Sequence, residues 1–263
     1  MVQQVSQHVY RIVTAGGVCV YLIKGRTQAA LIDTGFGVGD LKTTVEAMID
    51  TPYVVLLSHG HLDHVGAAAQ FENVYLNAKD WELSAWHATL ERRKRDVQQI
   101  DADFAARIPE QAWIPVWEGG YLPLEEGQVF DLGSVRISPV WVPGHTAGSM
   151  VFIIPEDRIA ILGDACGEGT LIRQDMLQIY EKGLEHLMEY ADQFDTILRN
   201  HGTYTSKKAI VEDNLALVRD ILAGQDAAVA DCVMGVNGYF GREKVHPGKE
   251  GNIFYAPSEQ ATW

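Results

Sequence analysis

Residues Ser58–Gly66 read SHGHLDHVG. Three histidines and one aspartate, His59, His61, His64 and Asp63, fall within six positions there, straight after the apolar run YVVLLS at Tyr53–Ser58. A short apolar run bounded by polar residues predicts a buried strand. The cluster therefore stands where a strand leaves its sheet. Neutral imidazole and carboxylate are common ligands for Zn, Fe or Mn. At a strand end, residues two apart point to one side, which places His59 and His61 together. Asp63 and His64 then point elsewhere, so one loop could serve two neighbouring metals. The bland alternative is a polar loop of histidines satisfied by hydrogen bonds.

Three more segments repeat the arrangement. VWVPGHTAGS supplies His145, IAILGDACG supplies Asp164 and DTILRNHGTY supplies His201. Each is an apolar run that ends in a ligand-type residue beside a glycine. Strand ends are where site residues commonly stand. Any one of these histidines alone reads as a core or surface residue. Together with the cluster they point to a metal centre.

The rest of the chain sets the frame. Its 263 residues are 47% hydrophobic and 21% charged, the composition of a folded globular protein. Lys and Arg number 21 against 35 Asp and Glu, a net charge of −14, which repels phosphate backbones and argues against a nucleic-acid partner. The densest basic run, ERRKR at Glu91–Arg95, reads as the solvated end of a helix. Three cysteines, Cys19, Cys166 and Cys232, without a CxxC pair suit a reducing, cytoplasmic setting. No secretory leader and no membrane-length apolar stretch is expected. Strand-like runs at HVYRIVTA, VCVYLIKG and QAALIDTG precede a helical pattern at Val38, Leu41, Val45 and Met48. A second strand-rich block begins near residue 130. It is followed by helices at about 175–193 and 206–224, with a strand between them. Residues 96–127 carry Trp113, Trp117 and Tyr121 and are long for a plain connection, so they read either as a lid insertion or as a surface loop packed on its own small core. From about residue 229 an irregular C-terminal tail is expected.

The set LIDTG, SHGHLDH, PGHTAGS, GDAC and NHGT closely resembles, in order, the five motifs of the metallo-β-lactamase-fold hydrolases. The resemblance runs from about Tyr10 to Tyr204. It implies an α/β protein, a four-layer αβ/βα sandwich forming one domain over residues 1–263. It implies two divalent metal ions, with Zn expected and Fe or Mn as alternatives. By position, His59, His61 and His145 would hold one ion. Asp63, His64 and His201 would hold the other, and Asp164 would bridge them. A metal-bridging hydroxide would then attack an ester, lactone or thioester of a small molecule, with Asp63 and Asp164 as the catalytic carboxylates. Asp33 would orient the histidine loop, and Cys166 would lie behind the ligands or pack. Tyr204, Trp113 and Trp117 are the candidate substrate residues.

Departures from the pattern narrow the branch. True β-lactamases of this fold generally lack the complete HxHxDH set with a bridging aspartate. Flavodiiron reductases put a carboxylate where His61 stands. The glyoxalase-II-like and lactonase-like group fits better. Two other classes share much of the motif set: a mononuclear iron persulfide dioxygenase-like oxidoreductase and a non-catalytic protein that keeps the metal to bind a ligand. The partner expected is a small molecule, with no membrane and no nucleic acid, and a homodimer is among the open oligomeric states.

Overall fold

Seven strands lie side by side in the order in which the chain makes them: β1 (Val2–Gln4), β2 (Val9–Val13), β3 (Cys19–Lys24), β4 (Ala29–Ile32), β5 (Tyr53–Leu56), β6 (Val74–Leu76) and β7 (Leu122–Pro123). A computed structural model describes residues 1–243 and 245–260 of the chain. β1 to β4 pair antiparallel and β4 to β7 parallel. β3 and β4 are buried along nearly their whole length, which is why they read as continuous apolar runs rather than alternating ones. The crossover from β4 to β5 contains helix α1 (Leu41–Glu46), whose buried residues are Leu41 and Val45. Asp40 caps it, its Oδ1 accepting the Thr43 N–H at 2.9 Å. The β4–β5 register pairs Ile32 with Leu56, so the residues that follow both strands emerge at one sheet edge. The carboxyl ends of parallel strands are where open α/β sheets place their ligands.

Four more helices complete this half: α2 (Leu62–Val65), α3 (Trp81–His87), α4 (Leu90–Ile100) and α5 (Ala102–Ala105). The ERRKR run does not end a helix, because α4 continues to Ile100. Nor is it solvated throughout. Arg93 is fully buried, one helical turn before the equally buried Val97, and both lie on the inward stripe. Residues 96–127 are stitched to this half. Gly39 N–H donates to the Ala112 carbonyl at 2.8 Å, Ile114 N–H donates to the Gly37 carbonyl at 2.9 Å, and β7 joins the sheet.

The chain divides into two compact units, Met1–Pro139 and Val140–Trp263. A short strand, β8 (Phe130–Asp131), pairs with the start of β9 (Arg136–Trp141), and within β9 the chain passes into the second unit. There β9 is followed by β10 (Met150–Ile154) and β11 (Ile159–Ile161). Next come β12 (Thr170–Arg173), α6 (Leu177–Met188), β13 (Thr196–Leu198), β14 (Thr205–Lys207) and α7 (Ala209–Ala223). One sheet runs β9-β10-β11-β13-β14. β11 and β13 are parallel, with Ile161 beside Leu198, so this unit too has a pair of parallel strand ends at one edge.

The expected irregular tail is also strand. β15 (Val229–Val233), β16 (Val236–Phe240) and β17 (Ile253–Ala256) join β12 in a four-stranded sheet ordered β12-β17-β16-β15. The β15–β16 hairpin turns on Met234 and Gly235, both at positive φ (51° and 81°). That is the geometry of a two-residue primed turn, which Asn-Gly or Asp-Gly usually signals. Met-Gly carries no such signal. No helix among the described residues is long and apolar enough to cross a membrane.

Candidate metal centre

In the first unit the ligand-type side chains follow β5. Asp33, directly after β4, organises them. Its Oδ1 accepts the Ser58 N–H at 2.7 Å, and its Oδ2 accepts the Ser58 hydroxyl at 2.8 Å. The same Oδ2 stands 2.9 Å from His64 Nδ1. These contacts hold Asp33 in a left-handed backbone conformation (φ 62°) that aspartate tolerates only locally. With Nδ1 engaged by a carboxylate, His64 presents Nε2, which lies 3.5 Å from Asp63 Oδ2. His59 Nδ1 contacts the Ser58 hydroxyl at 3.0 Å, and His59 Nε2 stands 3.1 Å from His61 Nδ1. Two nitrogens on one tetrahedral Zn, each about 2.05 Å from it, stand roughly 3.3 Å apart. The His59–His61 spacing fits a shared ion.

The loop is braced from two sides. On one side, Thr34 N–H and Oγ1 both donate to the His64 carbonyl, at 2.7 and 2.9 Å, and Gly66 N–H donates to the Gly35 carbonyl at 2.9 Å. On the other stands a row the sequence reading missed. Asp80 Oδ2 accepts the Gly60 N–H at 3.0 Å, and His87 Nδ1 accepts the Leu62 N–H at 3.1 Å. The His87 ring lies 4.5 Å from that of His61. A Cβ on Gly60 would press on the Asp80 carbonyl and the Ser84 nitrogen, so this close approach requires glycine. Asp80, Ser84 and His87 are four and three residues apart, a helix-face spacing that the sequence does carry.

In the second unit His145, Asp164 and His201 follow β9, β11 and β13. His145 Nδ1 faces the Leu171 carbonyl at 2.9 Å, which fixes the ring and turns Nε2 toward Asp164. Asp164 Oδ2 stands 3.8 Å from His145 Nε2 and 3.4 Å from His201 Nε2. One carboxylate thus faces two imidazoles. The His145 loop is braced by Ser149, whose Oγ accepts the Thr146 N–H at 3.1 Å. The His201 turn is held by buried Arg199, whose Nη2 donates to Glu168 at 2.6 Å, Thr203 at 2.7 Å and Ser206 at 3.0 Å. Burial alone would push the Glu168 carboxyl up, but the bonds from Arg199 and Thr203 outweigh it and hold it below its ordinary value.

The remaining expected site residues part ways. Cys166 is buried in the core of its unit, and burial pushes its thiol up to about 12, so it packs as a neutral group and offers no thiolate. Tyr204 takes a left-handed turn (φ 63°) on the His201 loop and is half-buried. Trp117 and Tyr121 border a cavity, together with Trp81, a residue that the sequence reading did not single out. Trp113 does not border it. It forms a lone β-bridge with Val38 and packs on the core of the first unit, because the backbone bonds at Ala112 and Ile114 turn it there.

Asp33→Ala removes the bonds to Ser58 and His64 at once. Metal affinity is expected to fall 10- to 100-fold, roughly the usual cost of losing an outer-shell carboxylate. Chelator competition measures this, and unchanged affinity in a folded variant would remove the orienting role.

The described residues thus include His and Asp groups able to hold metal ions. The family model of the metallo-beta-lactamase superfamily matches residues 13–208. Hydroxyacylglutathione hydrolase GloC of Haemophilus influenzae is 28% identical over 200 residues, covering 72% of this chain and 86% of its own. The human acyl-coenzyme A thioesterase MBLAC2 is 25% identical over 195 residues, covering 66% and 68%. Among solved structures, a metallo-beta-lactamase from Pontibacter korlensis superposes with a TM-score of 0.60 at 17% identity, covering 84% of this chain and 99% of its own. The motif order, the His and Asp residues at the strand ends and the family match agree: the chain belongs to the metallo-β-lactamase superfamily and has its α/β fold.

Proposed function

We propose that the protein is a dinuclear metal-dependent hydrolase acting on an ester, lactone or thioester of a small molecule, with a thioester favoured. His59, His61 and His145 would hold one divalent ion, Asp63, His64 and His201 the other, and Asp164 would serve both. The observation that carries this reading is Asp164 Oδ2, which faces both His145 and His201. A carboxylate so placed suits an ion on each side. The preference for a thioester comes from the relatives, one named as an acyl-coenzyme A thioesterase and another as a hydroxyacylglutathione hydrolase.

Once bound, such ions would supply Lewis-acid polarisation of a carbonyl and a lowered pKa for water. The chain supplies the rest. Asp63 is partly open to solvent, beside His64 Nε2, and its carboxylate orients the attacking water and takes up its proton. Asp33 and the Leu171 carbonyl keep the His64 and His145 rings in place. Tyr204, on the His201 turn, donates its hydroxyl to a substrate oxygen. Three free cysteines and the acidic surface suit a cytoplasmic enzyme with a small-molecule substrate.

Elemental analysis of protein purified without added metal, run beside a thioester and lactone panel, tests the reading. Two ions per chain are expected, with turnover lost on chelation by at least about a hundredfold. One iron per chain with oxygen uptake on a persulfide would replace it with an oxidoreductase.

A further inference from the structure

His201 is the most open of the three candidate ligands in the second unit. Its side chain is 43% exposed, against 3% for His145. Packing alone therefore holds its ring weakly, and the turn that carries it is fixed by polar contacts. Both flanks of the turn meet on one carboxylate oxygen. Arg199, two residues before His201, donates from Nη2 to Glu168 Oε1 at 2.6 Å. Thr203, two residues after it, donates its hydroxyl to the same oxygen. Arg199 Nη2 also donates to the Thr203 hydroxyl at 2.7 Å, so the three side chains close a triangle of hydrogen bonds across the turn. The backbone closes with them, the Arg199 N–H donating to the Tyr204 carbonyl at 3.0 Å. A Cβ on Gly202 would meet Glu168 Oε2 at 2.9 Å, and Gly202 stands at a φ of 68°, so only glycine lets the turn come this close.

Glu168 stands four residues after Asp164, on the same connection between β11 and β12. Its Oε1 accepts a third bond, from the Gly248 N–H on the connection between β16 and β17. That connection lies beyond residues 13–208, where the family model matches. Arg199 is buried and Glu168 largely so, and a charge-assisted bond between such groups is strong.

We infer that Glu168 is a positioning residue for the metal centre. Its carboxylate ties the Asp164 loop to both flanks of His201 and so fixes the 3.4 Å approach of Asp164 Oδ2 to His201 Nε2. The inference rests on the reading in which those two residues share an ion. It also gives the C-terminal segment a part in the centre, because Gly248 backs the clamp.

Two measurements test it. Amide hydrogen exchange over residues 199–204 of metal-free protein reads the turn without any metal. Zinc competition against a chromophoric chelator reads the affinities of the two ions separately. Glu168→Ala is expected to speed exchange in the turn at least about tenfold, as a local opening with the rest of the unit unchanged. It should weaken the ion on His201 roughly 10- to 100-fold, the usual cost of losing an outer-shell partner, while the ion on His59, His61 and His145 holds within about threefold. Glu168→Gln keeps an oxygen able to accept all three bonds, so most of both effects should be rescued. Glu168→Ala also strands a buried guanidinium, so Thr203→Val is the second variant. It keeps the ion pair, frees one flank of the turn and should weaken the same ion severalfold. Turn exchange unmoved in both Glu168→Ala and Thr203→Val overturns the clamp. Two zinc affinities that stay put, or that weaken together, overturn the positioning role and leave Glu168 a stabilising contact only. A turn that loosens in these variants, in a protein whose wild type binds a single zinc, upholds the clamp and overturns the dinuclear reading.

Discussion

Asp164→Asn is expected to lower kcat/KM on the order of a thousandfold, about 4 kcal/mol of transition-state stabilisation. The metal content should also fall below two ions per chain. Asparagine keeps the shape of the side chain but gives up its negative charge, and a neutral amide oxygen is a poor bridge between two dications. Asp164 Oδ2 faces both His145 and His201, so the change reaches each proposed ion. His201→Ala is the companion variant. Its side chain is 43% exposed and would serve one ion only, so the fold should tolerate the loss. One ion should remain and turnover should drop. If the protein instead works through a single ion on His59, His61 and His145, His201→Ala should leave metal content and activity near wild type. Metal analysis and steady-state rates on the two variants therefore separate a dinuclear centre from a mononuclear one, whatever the substrate.

The ligand candidates were legible because each stands directly after an apolar strand beside a turn-forming residue, a pattern carried by neighbouring positions. The parallel pairs β4–β5 and β11–β13 explain why those ends share an edge within each unit. Residues that act from a distance left weaker traces. Asp80, Ser84 and His87 have helical spacing, but nothing in their own segment says that the face meets the Gly60 loop. The strands after residue 229 were hidden because the hairpin turns on Met234–Gly235 and not on a recognised turn pair. Trp113 and Trp117 looked alike in sequence. Backbone bonds to Gly37 and Gly39 send the first to the core, while Gly119 leaves room for the second beside the cavity.

Arg93 is the residue whose sequence context misled most, and it carries the largest expected effect on stability. It lies inside the most basic run of the chain, yet it is fully buried. Burial pushes its guanidinium down to about 10, which still leaves it a cation at neutral pH. Its Nε donates to the Ala88 carbonyl at 3.1 Å. Nη1 donates to Phe36 at 3.2 Å and Gly66 at 2.9 Å, and Nη2 to Ile114 at 2.7 Å. A single planar fork thus gathers four carbonyls from the Asp33 loop, the end of the histidine loop, the end of α3 and the 114 segment. A Cβ on Gly66 would collide with the Phe36 carbonyl group, so the two loops can approach this closely only because the residue is glycine. Arg93→Ala leaves four carbonyls short of a donor and opens a void. The expected loss is about 3–5 kcal/mol, the range for breaking a buried charged network, or roughly 10 °C in melting temperature for a chain of this size. Arg93→Lys keeps the charge but replaces the fork with a point donor, so only part of the loss should return. Because Gly66 ends the histidine loop, metal affinity should fall along with stability in both variants. A melting temperature within a degree or two of wild type for Arg93→Ala would show that water or rearrangement replaces the fork, and that the basic run is surface chemistry after all.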